Sequence, residues 1–286
     1  MELANSYLEE GFPFQGRKRK KMEEFLEKSG LTYDPQIIYS VLLCREDGEI
    51  IGCGSRHENI LKCIAVDEAY QGEGLLQRIV TQLIKQAYTC GIPHLFLFTK
   101  PEYRTVFTDM GFYTITGTDS ILLLENRKDG ISRYLEQELA RHPLPSKEDA
   151  GAIVMNANPF TLGHQYLAET ASLKNDIVHL FMVSEDASLV PFNVRKELIM
   201  KGTAHLHNII YHDSGPYIIS NATFPSYFQK DENAVIESHA MLDLTVFCRI
   251  AEVLGITRRY VGEEPDSVVT RIYNGIMKQK LPEGGI

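Results

Sequence analysis

Asn156-Ala157-Asn158-Pro159-Phe160-Thr161-Leu162-Gly163-His164 is the stretch on which the reading of this chain turns. It follows Ala152-Ile153-Val154-Met155-Asn156, a short, mostly apolar run of the kind that forms a strand buried on both faces of a parallel sheet. A helix is expected after it, over 163–173. A strand-to-helix turn in such a sheet lies outside the carboxyl ends of the strands, where ligands sit. Unpaired N–H groups at the helix start, with the helix dipole behind them, favour phosphate. The His164 imidazole and the Thr161 hydroxyl can both hydrogen-bond phosphate oxygens from one turn, and Gly163 leaves room for a base or ribose. These are the parts needed to hold a triphosphate while its α-phosphorus is attacked.

Outward from that turn, the second half alternates strand and helix. Strands are expected at 177–183, 208–211 and 259–262, with helices at 193–204 and 234–254. The pattern implies a doubly wound parallel sheet, a Rossmann-like α/β domain. Arg195 opens a helix after Ser184-Glu185-Asp186 and could meet a phosphate or form a surface salt bridge. Gly262-Glu263-Glu264-Pro265 follows the last strand on the ligand side, either as a closing loop or as solvated acids. Ala222-Thr223-Phe224-Pro225-Ser226-Tyr227-Phe228 lines a substrate pocket or belongs to the core.

The first half is a second α/β pattern. A polar helix over 19–28 precedes strands at 37–43 and 50–54, and Asp47-Gly48 between them signals an antiparallel hairpin. A strand at 60–66 leads into Gln71-Gly72-Glu73-Gly74, then into a helix with apolar residues at Leu75, Ile79, Leu83 and Ala87. A strand at 94–99, a short helix ending at Gly111, and strands around Tyr113 and Ile121 to Leu124 close the set. The helix over 126–141 reads as a connector broken by Pro143 and Pro145. The division is therefore 1–125, a linker at 126–148, and 149–286.

The chain has 286 residues, 29 Lys+Arg against 38 Asp+Glu, and a net charge of −9, which argues against a uniformly basic nucleic-acid surface. The basic run Arg17 to Lys21 reads as a solvated helix start. No apolar stretch approaches the roughly 20 residues that cross a bilayer, so no membrane is expected. Five scattered cysteines without a CxxC pair suit a reduced chain, and a cytoplasmic location is expected. No dedicated metal-ligand set stands out.

Thr161-Leu162-Gly163-His164 is similar to the (H/T)xGH signature of the nucleotidyltransferase superfamily. The resemblance implies that Thr161 and His164 are catalytic, contacting the nucleotide's phosphates and stabilising the pentavalent transition state. It also implies ATP contacts from Asn156, Asn158, Pro159, Phe160, Gly163, Arg195, Gly262 and Glu263. Gln71-Gly72-Glu73-Gly74-Leu75-Leu76 resembles the Q/R-x-x-G-x-G/A loop of GNAT-type acyltransferases, which implies that Gln71, Gly72 and Gly74 cradle a coenzyme-A-like arm. Two positions depart from that pattern. Leu76 stands where the family has a small residue and is expected to crowd a pyrophosphate; Phe107 stands where a tyrosine acid is usual, with Tyr103 one turn earlier.

A GNAT-like domain followed by a TxGH domain resembles the citrate lyase ligase family. Val261 to Pro265 and Thr270-Arg271-Ile272-Tyr273-Asn274 add to the likeness. It implies that acetate and MgATP form acetyl-adenylate, and that the thiol on the acyl-carrier subunit of citrate lyase then takes the acetyl group. Related nucleotidyltransferases carry a further ISxxxR-like motif that is not found before Ile286, so a shortened chain or an incomplete triphosphate site is expected. Two other readings stay open: an adenylyltransferase for a phosphorylated cofactor precursor, and a non-catalytic module that docks an acyl carrier.

Overall fold

Period-two apolar patterning in the first half and solid apolar strands in the second produce two different sheets. The computed structural model describes residues 6–72, 74–141, 149–184, 189–218, 232–263 and 267–286. Described residues up to Lys128, together with 232–235, form one unit, and the others form a second.

The first unit runs β1 (Ser6–Gly11), α1 (Gly16–Lys28), β2 (Tyr39–Arg45), β3 (Ile50–His57), β4 (Ile60–Val66), α2 (Leu75–Thr89), β5 (Phe96–Thr99), α3 (Arg104–Asp109), β6 (Tyr113–Gly117) and β7 (Leu122–Glu125). Its seven-stranded sheet has the order β1-β2-β3-β4-β5-β7-β6. Successive residues of β2 face opposite sides: Val41 and Leu43 join the core beneath α2, while Leu42 and Cys44 pack with Met22 and Leu26 of α1. The expected α2 stripe of Leu75, Ile79, Leu83 and Ala87 is buried in that core. Gly52 and Gly54 let α2 lie close, since a Cβ on either would sit 2.8 or 2.6 Å from Ile79.

The hairpin β2–β3 forms as expected. β1, which was not foreseen, adds to β2 as an antiparallel edge strand. An edge strand with two glutamates and partial burial carries little apolar signal.

The joint between β4 and β5 shapes the ligand side of this unit. These strands run parallel but pair only at Ile60↔Phe96 and Leu61↔Leu97. On its other side β4 has a register shift that leaves Cys63 and Ile64 opposite Gly54, with Cys63 at φ +51°. Such a bulge bends its strand, and β4 leaves β5 as it heads for the glycine loop.

The second unit contains α4 (Gly130–Arg141), β8 (Ala150–Met155), α5 (Leu162–Lys174), β9 (Ile177–Met182), α6 (Phe192–Gly202), β10 (Ile209–Asp213), α7 (Glu232–Leu254), β11 (Ile256–Tyr260) and α8 (Val268–Glu283). Its four strands are all parallel in the order β10-β9-β8-β11, the doubly wound arrangement expected. α4 lies in this unit, where the Glu138 carboxylate accepts from His212 Nδ1 at 2.5 Å. β11 begins three residues earlier than its apolar pattern indicated, because Thr257 and Arg258 are exposed on an edge strand. α8 was not foreseen; Gly275 and Pro282 interrupt its pattern. The aromatic segment 222–228, Glu73, Glu185-Asp186, Glu264-Pro265, Pro143 and Pro145 lie outside the described residues. Among those described, no helix is long and apolar enough to cross a membrane.

Candidate active site

β8 is central, with β9 and then β10 on one side and β11 on the other. The chain moves outward in one direction and then returns across β8. The gap between β8 and β11 is therefore a topological switch point, where loops leave their carboxyl ends in opposite directions and open a crevice. The turn after β8 and the Val261–Glu263 segment after β11 both stand at that end.

Thr161 is the N-cap of α5, extended at φ −125° and ψ 170°. Its N–H donates to His164 Nδ1 at 3.1 Å, and its Oγ1 lies 2.8 Å from the same nitrogen. A ring nitrogen that accepts a backbone N–H carries no proton, so the neutral imidazole holds its proton on Nε2. The cap thereby makes Nε2–H the donor this ring has for an anion. Phe160 stacks on His164 with ring centroids 5.7 Å apart, and it fills the space over Gly202, where a Cβ would meet its ring at 2.2 Å. Gly163 is open to solvent, with only Thr161 Oγ1 within reach of a Cβ.

The start of the turn is strained and braced. Ala157 is buried with φ +47°, a left-handed conformation that costs a non-glycine residue about 1–2 kcal/mol. Asn156, Asn158 and Pro159 are exposed beside it. Asn158 Oδ1 accepts the Val190 N–H at 2.9 Å.

Arg195 takes a different place from the phosphate contact expected of it. It is wholly buried, and Nη1 donates to Asn156 O, Asn156 Oδ1 and Val183 O at 2.9, 2.8 and 2.8 Å. Nε donates to Val190 O at 2.9 Å. The guanidinium is thus a strut beneath the turn, joining it to the end of β9 and the entry to α6. Its position at a helix start signalled an anion contact, but its reach turns it inward.

Gly262 is exposed, its carbonyl accepting from Asn274 Nδ2 at 3.2 Å. Glu263 borders a cavity of about 1020 Å³ between β11 and α8. Sequence reading did not group the residues behind that cavity, Arg259, Asp243 and Tyr273, which come from three elements with no shared spacing to signal them. Among the described residues no group of three or more His, Cys, Asp or Glu could hold a metal ion.

In the first unit, Gly72 and Gly74 have φ +86° and +72°, and a Cβ on either would meet nothing. Gly74 is the N-cap of α2, and Gln71 is exposed just before it. Successive backbone N–H groups in such turns make an anion nest. Leu76 packs partly buried against the α2 core. Phe107 is a core residue, edge-on to Phe112 at 6.4 Å. Tyr103 is exposed, and desolvation first, then Glu102, holds its hydroxyl above the usual phenol range.

Fold and turn together define a class: a GNAT-type unit joined to a nucleotidyltransferase-type unit with a TxGH turn. Family models agree, with the acetyltransferase (GNAT) family matching residues 2–112 and the citrate lyase ligase C-terminal domain matching residues 150–286. Three relatives carry the name citrate (pro-3S)-lyase ligase. The Haemophilus influenzae protein is 43% identical, over 90% of this chain and 77% of its own length. Those of Escherichia coli and Klebsiella pneumoniae are 39% and 40% identical, over 93% and 94% of this chain and 76% and 78% of theirs. The chain belongs to the citrate lyase ligase family and is an enzyme of the ligase class.

Proposed function

We propose that the chain activates acetate with MgATP and passes the acetyl group to the thiol on the acyl-carrier subunit of citrate lyase. A carboxylate oxygen of acetate attacks the α-phosphorus, the bond to the β-phosphate oxygen breaks, and pyrophosphate leaves. The thiol sulfur then attacks the acyl carbon of acetyl-adenylate, AMP leaves, and a thioester forms. Little covalent chemistry falls to the protein, so its work is positioning and charge stabilisation. His164 Nε2–H, the start of α5 and, once it turns away from His164 Nδ1, the Thr161 hydroxyl supply donors for the α-phosphate, while Gly163 and the Gly262–Glu263 segment border the nucleotide. Magnesium enters with the triphosphate.

The observation that carries this reading is the Thr161–His164 cap at the switch point between β8 and β11. Membership of a family whose curated relatives are named as ligases of citrate lyase supports the acceptor. The Gly72–Gly74 nest and the splayed β4–β5 joint support a place for the phosphates and pantetheine-like arm of the prosthetic group in the first unit. The decisive experiment incubates the chain with ATP, magnesium and a panel of short acids, and follows AMP release with and without the carrier. Acetate-dependent pyrophosphate exchange without the carrier, and AMP release with it, are expected. Exchange that needs phosphopantetheine or nicotinamide mononucleotide instead of an acid sinks the proposal, as does carrier binding without any turnover.

A further inference from the structure

The basic run Arg17 to Lys21 takes no part in the reaction above, and the fold sets it on an exposed face of α1. That helix packs on the first sheet through Met22, Phe25 and Leu26. The side of the helix turned away from this stripe carries Arg17, Lys20, Lys21, Glu24, Glu27 and Lys28, all exposed. Lys18 is tied to Glu9 of β1, and Arg19 to Glu23 at 2.8 Å and over the Tyr33 ring at 4.5 Å. Arg17, Lys20 and Lys21 have no carboxylate partner among the described residues.

α1 is charged against its own dipole. Aligned peptide dipoles make a helix positive at its N-terminus, so acids there stabilise it and cations cost. α1 has no acid in its first turn, and its N-cap Gln15 makes no side-chain cap bond. Every charged residue of its first half is a cation, and its three glutamates fall in the second half. Stability of the helix does not account for this order, whereas recognition of an acidic partner does.

The corner that presents these cations is tightly built. β1 reaches α1 through residues 12–15, and the Phe14 ring closes over Gly11, where a Cβ would sit 2.5 Å from it. Phe14 is buried with the α1 core. Phe12, in the same link, is 69% exposed, its ring 5.1 Å from that of Tyr39. An exposed aromatic in the link that leads into unpaired cations is the composition of a protein-docking surface.

We propose that this face of α1, with Phe12, docks an acidic surface of the acyl-carrier subunit. The inference rests on the proposed reaction, whose protein substrate is the carrier. The carrier must be found and released at every turnover. Solvated cations raise the rate of encounter through long-range attraction, without the desolvated pairing that slows release. In a chain of net charge −9 an acidic partner is repelled by the molecule as a whole, so a cationic face also selects where it lands.

The test measures direct binding of the purified carrier, bearing its prosthetic group, to the full chain at low and high salt. Wild-type binding is expected to weaken steeply as salt rises. Combining Arg17→Gln, Lys20→Gln and Lys21→Gln should weaken it ~10-fold at low salt, chiefly through the association rate, and flatten the salt dependence. The same variant should keep its melting temperature or raise it, since cations leave the positive end of the helix. It should also keep acetate-dependent pyrophosphate exchange measured without the carrier. Lys20→Arg with Lys21→Arg should bind as the wild type does, and Phe12→Ser should weaken binding a few-fold through faster dissociation. Unaltered carrier binding in the triple glutamine variant overturns the proposal, as does absence of carrier binding by the wild-type chain. It also falls if that variant loses binding to vesicles of equal phosphatidylglycerol and phosphatidylcholine, or to duplex DNA, while carrier affinity holds. A chain that binds the carrier through this face but shows no acetate-dependent exchange keeps the docking surface and sinks the proposed reaction.

Discussion

Each unit sends a strand through a tight turn into a helix, but the two turns are built by opposite means. Between β4 and α2, Gly72 and Gly74 stand at positive φ with open space where side chains would be, so a ligand can approach their backbone N–H groups. Between β8 and α5 the backbone is held by side chains: Thr161 and His164 close the cap above, and Arg195 ties Asn156 to two neighbouring loops below. A backbone nest suits a phosphate that stays unchanged, since its N–H donors are fixed. A braced imidazole suits a phosphorus centre whose charge grows during reaction. Under the proposed function, this difference would give the chemical step to the second unit and the holding of the arm to the first.

Removing His164 should break the comparison most visibly. His164→Ala is expected to lower acetate-dependent ATP–pyrophosphate exchange by about 10²–10³-fold, the scale for a lost transition-state donor. Near wild-type exchange would move the chemistry away from this turn. Arg195→Ala comes next. Its four acceptors lose their donor within the core, and the second unit should lose about 2–4 kcal/mol, read as a shifted urea midpoint. Arg195→Lys, which restores a charge without the fork, should recover only part of that loss. An unchanged midpoint in Arg195→Ala, with ATP affinity alone reduced, would return this residue to the role of a phosphate ligand.

Gly74→Val sharpens the other side. At φ +72° a β-branched residue costs about 1–2 kcal/mol, and it pushes side-chain atoms into the nest. Transfer to the carrier thiol should fall roughly tenfold while pyrophosphate exchange holds, a ratio that follows if the arm alone uses this turn. Equal loss of both activities refutes the division of labour. The smallest effect belongs to the core behind the β4 bulge. Burial pushes the Cys63 thiol up to about 12 and Cys53 higher than usual as well. The unfolded chain releases these protons from about pH 8.5 upward, so the native state binds more protons above that point and stability falls as pH rises toward 12. Cys63→Ala should flatten that fall by up to about 1.4 kcal/mol per pH unit, measured by denaturation between about pH 8 and pH 10.5.

Much of the fold was legible because its signals are local. The α2 stripe repeats every four residues and is buried as read, and the solid apolar run of β8 is a central parallel strand. The Thr161-to-His164 spacing was legible too, since a cap spans a single helical turn. β1 and α8 escaped because one is a half-exposed edge with glutamates and the other is broken by Gly275 and Pro282. The packing of Arg195, Leu76 and Arg259 was not legible, for one reason. Their meaning depends on direction, and a position in sequence does not say whether a long side chain points into the crevice or under it.

From the amino-acid order alone came the two α/β halves, their strand and helix alternation, and the two turns where ligands are expected. These follow from short-range physics: side-chain periodicity, capping and the conformational freedom of glycine. Only the folded chain decided that Arg195 is a brace, that Leu76 packs against the α2 core, and that Arg259 lies beside Asp243 and over the Phe247 ring. Each of those depends on partners tens of residues away, whose approach is set by sheet order and helix packing.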